Sequence, residues 1–388
     1  MSKKLKLVAP ALVVAVSVLG IMAVCAVAAP PMPKFIKAAG YDVGSSAYIT
    51  VTAAGGGWKK ELGITLRYIP AGTGVARVLS SRVGNTHFSA LSIDSLYAIE
   101  GLHDFASLEW GPQPLRQVWQ AAKLSGYGIA TRADSGIKTL AELKGKKVAH
   151  VVGSPSPNEF MKGGLAFAGL TLDDVKVIKI HSFTAMYDGL LDGTIDACPC
   201  DSFTSAAAKL EASPHGIRWL PMPPEDKEGW ARFNKIQPQS RPAPGIRGAG
   251  LSKEKPVPLA NMAFPWFLAY ANLDDDIAYW ISKAFGESYG GYKDSHAAMP
   301  GFKLETMIDL PCIFPWHEGS IRYLKEKGVW TDRLEKNQKA LIERQKKLQA
   351  LWESVVDQAG AEKVKAKVFP KYWLEKRAKA FPDFYMPK

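Results

Sequence analysis

The sequence predicts an α/β protein of two sheets with a helical tail, and three observations carry that prediction. A strand-helix-strand pattern occurs twice, in separate halves of the chain. Hydroxyl-rich turns follow strands in both halves. From Thr331 onward the character changes to a long amphipathic helical period.

In the first unit, residues 64–69 alternate as a strand, 75–83 have helical spacing and 86–91 form a second strand ending at Ser92. The second unit repeats the order, with an apolar strand at 146–152, a helix at 158–168 and a strand at 175–180. Nine prolines between 214 and 258 argue for a loop-rich excursion. Residues 261–270 return as one apolar strand. In the tail, Leu334, Leu341, Leu348 and Val355 recur every seven residues, widened by Ile342, Leu351 and Trp352, which predicts a helix packed across its own domain. Phe369, Trp373, Phe381, Phe384 and Tyr385 follow between lysines and read as a latch onto a core.

Composition sets the class. Apolar residues make 47% and charged residues 22% of the 388, the profile of a folded body rather than a disordered one. The net charge of +12 sits largely at the ends: three lysines fall within the first six residues, and 331–388 hold 14 basic against 8 acidic side chains. A nucleic-acid platform concentrates basic residues within its folded domain, so no nucleic-acid partner is expected. Lys3, Lys4 and Lys6 precede an uncharged run at 7–24 that ends in Ala26-Val27-Ala28, the pattern of a cleaved secretory signal over 1–28. An uncleaved anchor and a lipoprotein bearing its lipid on Cys25 are the alternatives.

Removing that leader leaves Cys198, Cys200 and Cys312, an odd number. A bridge from Cys198 or Cys200 to Cys312 stays open, as does a nucleophilic thiol paired with His317; buried structural thiols are the plainer reading, and no metal site is expected. The catalytic signatures G-x-S-x-G, H-E-x-x-H, the phosphate loop and G-x-G-x-x-G after a strand are all missing from the sequence. The expectation is a binding protein, with no catalytic residues and no cofactor.

The candidate site lies in the turns. Gly44-Ser45-Ser46-Ala47-Tyr48, then Ser92-Ile93-Asp94-Ser95, then Ser154-Pro155-Ser156-Pro157-Asn158 each place hydroxyls and backbone N–H groups where a helix begins, a seat suited to an anion. Three such turns across two sheets suit a ligand held between lobes at the carboxyl ends of their strands. Phe203, Trp110 and Tyr48 are candidates to pack on its carbon skeleton, and Arg67, Arg116 and Arg247 to clamp a carboxylate.

Four segments carry a family likeness. GNTHFSALSIDSLYAIEG (84–101), RADSGIKTLAELKGKKVA (132–149), FTAMYDGLLDGTIDA (183–197) and WHEGSIRYLKEKGVW (316–330) resemble, in that order, the TAXI-type solute receptors of tripartite ATP-independent periplasmic (TRAP) transporters. The resemblance covers about 38–330. It implies a type II periplasmic-binding fold: lobe 1 over 29–131 and 263–330, lobe 2 over 132–262, and an extension at 331–388. It also implies an exported, monomeric receptor that captures a small organic anion, a carboxylate or an amino-acid-like solute, and delivers it to the permease subunits of an ion-gradient-driven transporter. By the motif match the site falls on Gly44, Ser45, Ser46, Tyr48, Ser92 and Asp94 in the first lobe, and on Ser154, Ser156 and Asn158 in the second, with the loop 198–203 and its Phe203 opposite. The alternative partner is an ATP-driven importer of the nitrate, sulfonate or pyrimidine-precursor type. Two departures mark a divergent member: Cys198-Pro199-Cys200-Asp201 stands where apolar residues and glycines are usual, and the extension has no counterpart in short members.

Overall fold

The computed structural model describes residues 29–384, so the leader signal, Cys25 and Tyr385 lie outside it. From Met32 onward the chain is one structural unit.

The first lobe is laid down as β1 (Phe35–Gly40), α1 (Ser46–Leu62), β2 (Thr65–Pro70), α2 (Gly74–Arg82), β3 (Phe88–Leu91), α3 (Asp94–Glu100) and β4 (Leu115–Ala122). β1 runs parallel to both β2 and β3 and lies between them, which places the ends of β1 and β3 side by side. The side chains of β3 are all buried, as a central parallel strand covered on both faces requires. One face packs Trp58, Phe88, Phe267 and Phe285; the other packs Leu91, Leu96, Phe105 and Trp266.

After residues 123–126 the chain enters the second lobe as β5 (Tyr127–Arg132), β6 (Lys147–Val151), α4 (Pro155–Phe167), β7 (Lys176–Ile180), α5 (Phe183–Asp192), β8 (Ala197–Asp201), α6 (Ser205–Ala212), β9 (Ile217–Leu220), α7 (Lys227–Asn234), β10 (Arg241–Gly245) and β11 (Val257–Asn261). Its sheet runs β10-β11-β5-β8-β6-β7, with β9 also paired to β5. The expected crossover at 131/132 therefore falls too late. All of β5 pairs antiparallel with β8 and β9 in the second sheet, and buried Ile129 and Ala130 hold it there.

The single strand expected over 261–270 is two strands broken at Met262. β11 ends at Asn261 in the second sheet, and β12 (Ala263–Tyr270) returns antiparallel between β3 and β4 in the first. Two short crossovers thus join the lobes, and Asn261 Nδ2 donates to Lys123 O across them (3.3 Å). α4 begins at Pro155, earlier than residue 158, because Pro155 and Pro157 occupy first-turn positions whose N–H groups have no intrahelical acceptor. The proline-rich excursion holds more regular structure than expected. Pro242 and Pro244 are tolerated because β10 is the edge strand of its sheet.

The first lobe is completed by α8 (Asp275–Glu287), α9 (Tyr289–Tyr292), α10 (Leu304–Ile308) and α11 (Glu318–Glu326), and the extension is α12 (Asp332–Ala361) with α13 (Phe369–Ala380). The extension packs on the first lobe. Leu334, Leu341, Leu348 and Val355 are all buried, and Trp352, Phe369 and Trp373 stack edge-on beneath Ala106. Trp373 Nε1 donates to Gly101 O (2.6 Å), and Gln338 bonds both the N–H and the carbonyl of Trp316. At Gly111 any Cβ would stand 2.4 Å from the Trp352 ring, so this close approach requires glycine. Among the described residues no helix is long and apolar enough to cross a membrane.

Cys198 and Cys200 are buried in the second lobe's core and Cys312 in the first lobe's; all three are free thiols, and no bridge joins them. Burial raises each thiol pKa, that of Cys312 to about 12. His317 caps α11 in the first lobe, apart from Cys198 and Cys200, so the thiol–imidazole pair is not assembled.

Candidate functional site

The ends of β1 and β3 in the first lobe face the starts of α4 and α5 and the end of β8 in the second. Between them lies a cleft with ≈ 510 Å³ of space outside protein atoms, part of it continuous with solvent. Aromatic rings make most of its apolar wall. Tyr41 stacks on Phe183 (4.4 Å between centroids, 17° between planes), and Tyr127, Phe160 and Phe264 continue the lining. Burial pushes the phenols of Tyr41 and Tyr127 well above their ordinary value, so both stay neutral.

Charge enters as two pairs. Asp94, at the start of α3, is fully buried; its Oδ2 lies 2.7 Å from Arg77 Nη2 and accepts from Ser92 Oγ (2.8 Å). Its Oδ1 accepts from the backbone N–H of Ser156 in the other lobe (2.9 Å). The helix start at α4, read from sequence as a seat for an external anion, thus receives the protein's own carboxylate. Gly74 permits this: a Cβ there would stand 2.6 Å from the Asp94 carboxyl carbon. The second pair joins Lys123, on the first crossover, to Asp201 at the end of β8 (2.5 Å). Ser46 Oγ donates to the same oxygen (3.1 Å), and Asp201 Oδ1 accepts from Phe203 N (2.9 Å).

Each carboxylate thus already accepts three hydrogen bonds from the protein, while two neighbouring donors keep hydrogens unused. Lys123 gives one of its three N–H groups to Asp201 and otherwise sits over Phe264 (4.2 Å) and Tyr127 (4.9 Å). Gln237 is fully buried, lines the cleft, and its Nε2 has no hydrogen-bond partner. Ser45 also lines the cleft; it accepts from Tyr48 N–H (3.1 Å), and its hydroxyl bonds to the Tyr68 phenol.

Ser45, Ser46, Ser92 and Ser156 line the cleft. Ser154 stands just behind it, bonded to Tyr41 Oη across the lobes (2.9 Å), and Gly44 O accepts from Ser205 N (2.9 Å), also across the lobes. Phe203 borders an adjoining recess with Ser46, Lys123 and Asp201, edge-on to His296. Asn158 faces away, both ends of its amide bonded to the backbone of Val151, and Tyr48 on α1 packs edge-on against Tyr68 of β2. Trp110 packs on Phe105, Arg67 is exposed over Phe35, Arg247 is exposed, and Arg116 lies against α12; none of these four lines the cleft. Sequence reading missed Tyr41, Lys123, Tyr127, Phe160, Phe183, Gln237, Met262 and Phe264. Lys123 offered the plainest signal, a lone charge following the apolar strand β4.

Two α/β lobes joined by two crossovers around a lined cleft, with a helical extension on one lobe, form the type II periplasmic solute-binding fold. Residues 60–328 match the NMT1-like family, and the chain belongs to it. Among solved structures it is similar to the periplasmic aliphatic sulphonate binding protein SsuA from Escherichia coli, at 18% identity over 76% of this chain and 83% of that one, TM-score 0.43. It is also similar to an ABC transporter periplasmic binding protein from Brucella ovis with glutathione bound (11% identity, 66% and 70% covered, TM-score 0.42). An ancestral arginine-binding protein bound to arginine is similar at 15% identity over 70% of this chain and 97% of that one, TM-score 0.39.

Proposed function

We propose that the protein is an exported receptor that traps a small carboxylate or amino-acid-like solute between its lobes and hands it, chemically unaltered, to a TRAP-type permease driven by an ion gradient. The observation that carries the solute class is the balance of unused groups in the cleft. Each of its carboxylates already accepts three hydrogen bonds from the protein while Lys123 and Gln237 Nε2 still have hydrogens to give, so the solute that completes the site is rich in acceptors. The aromatic walls suit a short carbon skeleton. A solute touching both lobes favours the closed state by its differential affinity for that state. The resemblance of the four segments to TAXI-type receptors is what supports the TRAP partner, and an ATP-driven importer is the second reading.

The test is a thermal-shift screen of the leader-free protein against amino acids, dicarboxylates and sulfonates, followed by mass spectrometry of the best ligand after incubation. We expect an acid to raise the melting temperature with its concentration and to be recovered intact. A converted product, or stabilisation only by cations, overturns the reading. Uptake into vesicles containing the partner permease then separates an ion-gradient requirement from an ATP requirement.

A further inference from the structure

A recess larger than the cleft lies away from it, along the seam where α12 crosses the first lobe, with ≈ 1250 Å³ outside protein atoms, part of it open to solvent. The family match ends at residue 328 and α12 begins at Asp332, so one wall of this trough is made by the extension alone. That wall runs from Ile342 to Glu353 on one face of α12, about 16 Å at the helical rise. About five residues of extended chain span the same distance.

The trough is positively charged, and its cations stand outside direct ion pairs, with Glu318 acting on Arg116 only at longer range. Arg82 and Arg116 come from the first lobe and Lys346 from α12, and among the described residues none of the three has a carboxylate within 4.0 Å. The trough's one carboxylate, Glu353, is exposed and accepts from Gln349. Arg116 is held in place: Nη1 donates to Leu115 O and to Gln345 Oε1, and Gln345 Nε2 donates to Leu115 O (3.2 Å). Its Nε and Nη2 groups remain for a ligand, a fixed fork of the geometry that takes a carboxylate. Burial lowers the Arg116 pKa, the mark of a guanidinium stripped of part of its water, and the Glu318 carboxylate offsets only part of that loss. Ile99, Ile342 and Tyr270 give apolar surface between the cations.

We propose that this seam is a docking trough for an extended acidic peptide segment of a partner protein, with acidic side chains alternating with apolar ones. Alternation places acids toward the cations and apolar groups toward the floor, because successive side chains of an extended chain point to opposite sides. A free small anion would meet Arg116 but leave most of the trough's length empty. The proposal stands apart from the cleft and from the identity of its solute.

Fluorescence anisotropy with the leader-free full chain tests it, using a fluorescein-labelled octapeptide of alternating Glu and Val and a control of alternating Gln and Val. We expect the Glu peptide to bind, to weaken as salt is added and to bind at least about tenfold more weakly to the double variant R82E/K346E. Both substituted side chains are exposed, and an unchanged melting temperature of the variant shows that its fold is kept. Equal binding of the Gln peptide, absence of binding by the Glu peptide, or undiminished affinity in the double variant overturns the proposal. So does free glutarate binding as tightly as the peptide, which would make the seam a small-anion site.

Discussion

The cleft between the lobes and the core of the seam beneath α12 both bury charge, on opposite plans. In the seam Glu100, at the end of α3, is held by Arg344 (2.7 and 3.0 Å) and Arg377 (2.6 Å), and Trp352, Phe369 and Trp373 pack nearby. In the cleft each carboxylate is shared between the lobes: Asp94 accepts from Ser156, and Asp201 from Ser46 and Lys123. When the lobes part, water or a solute can replace the partners in the cleft. No comparable opening separates Glu100 from its arginines, because the tryptophans would have to leave the core as well. On the proposed function, the difference predicts that the seam stays shut and that the cleft exchanges partners.

The largest test of that contrast is Glu100→Ala, which leaves two arginines facing each other in a mostly dry site. We expect a loss of about 3 to 5 kcal/mol in stability by urea unfolding, with solute affinity unchanged once the protein is folded. A loss under about 1 kcal/mol would show that water already reaches the seam and would erase the contrast. Asp201→Asn should cost less, about 1.5 to 3 kcal/mol, because Lys123 sits at a boundary that solvent reaches when the lobes open. It should also change solute affinity, which Glu100→Ala should not.

A third kind of buried titratable group belongs to neither plan. The Cys312 thiol is raised from its ordinary 9.0 to about 12 by burial, so the folded state holds this proton more tightly than the unfolded chain does. Stability is therefore unaffected by this group below about pH 9 and falls as pH rises from there toward 12, by about 1.4 kcal/mol per unit. Urea midpoints measured across that range should slope downward, and Cys312→Ala should flatten part of the slope. At pH 8 the folded protein should resist alkylation at Cys198, Cys200 and Cys312. Rapid labelling there would show that a lobe core opens more readily than the seam.

What the sequence revealed and what it hid divide along the same physical line. Local periodicity carries elements: the seven-residue recurrence from Leu334 to Val355 marks α12, and all four of those residues are buried. Turns are also local, so the serines at 45, 46, 92 and 156 could be picked out before any folding was known. Pairing across the chain leaves no such trace. Tyr127 reads as a strand residue wherever β5 docks, and only its antiparallel pairing with β8 carries it into the second sheet, which moves the crossover ahead of residue 131. Gln237 sits in a proline-rich stretch with no period at all, and it reaches the cleft because α7 packs against α4 beneath it. Asp94 showed its position but not its role: a helix start that looked ready for a solute is filled from the opposite lobe.

The smallest expected effect is the most discriminating. Ser156→Ala removes a hydroxyl that lies 2.8 Å from Ser92 Oγ, across the lobes, and leaves the Ser156 backbone N–H still bonded to Asp94. One neutral hydrogen bond contributes about 1 kcal/mol. If that bond exists only while the lobes are closed, its loss falls on the closed state alone. Unfolding from the open state is then untouched, and solute affinity drops roughly fivefold as the closed population shrinks. Urea unfolding without solute and calorimetric titration with it separate the outcomes. A stability loss of about 1 kcal/mol with unchanged affinity would mean that the lobes do not part in the free protein, and the cleft would then follow the same plan as the seam.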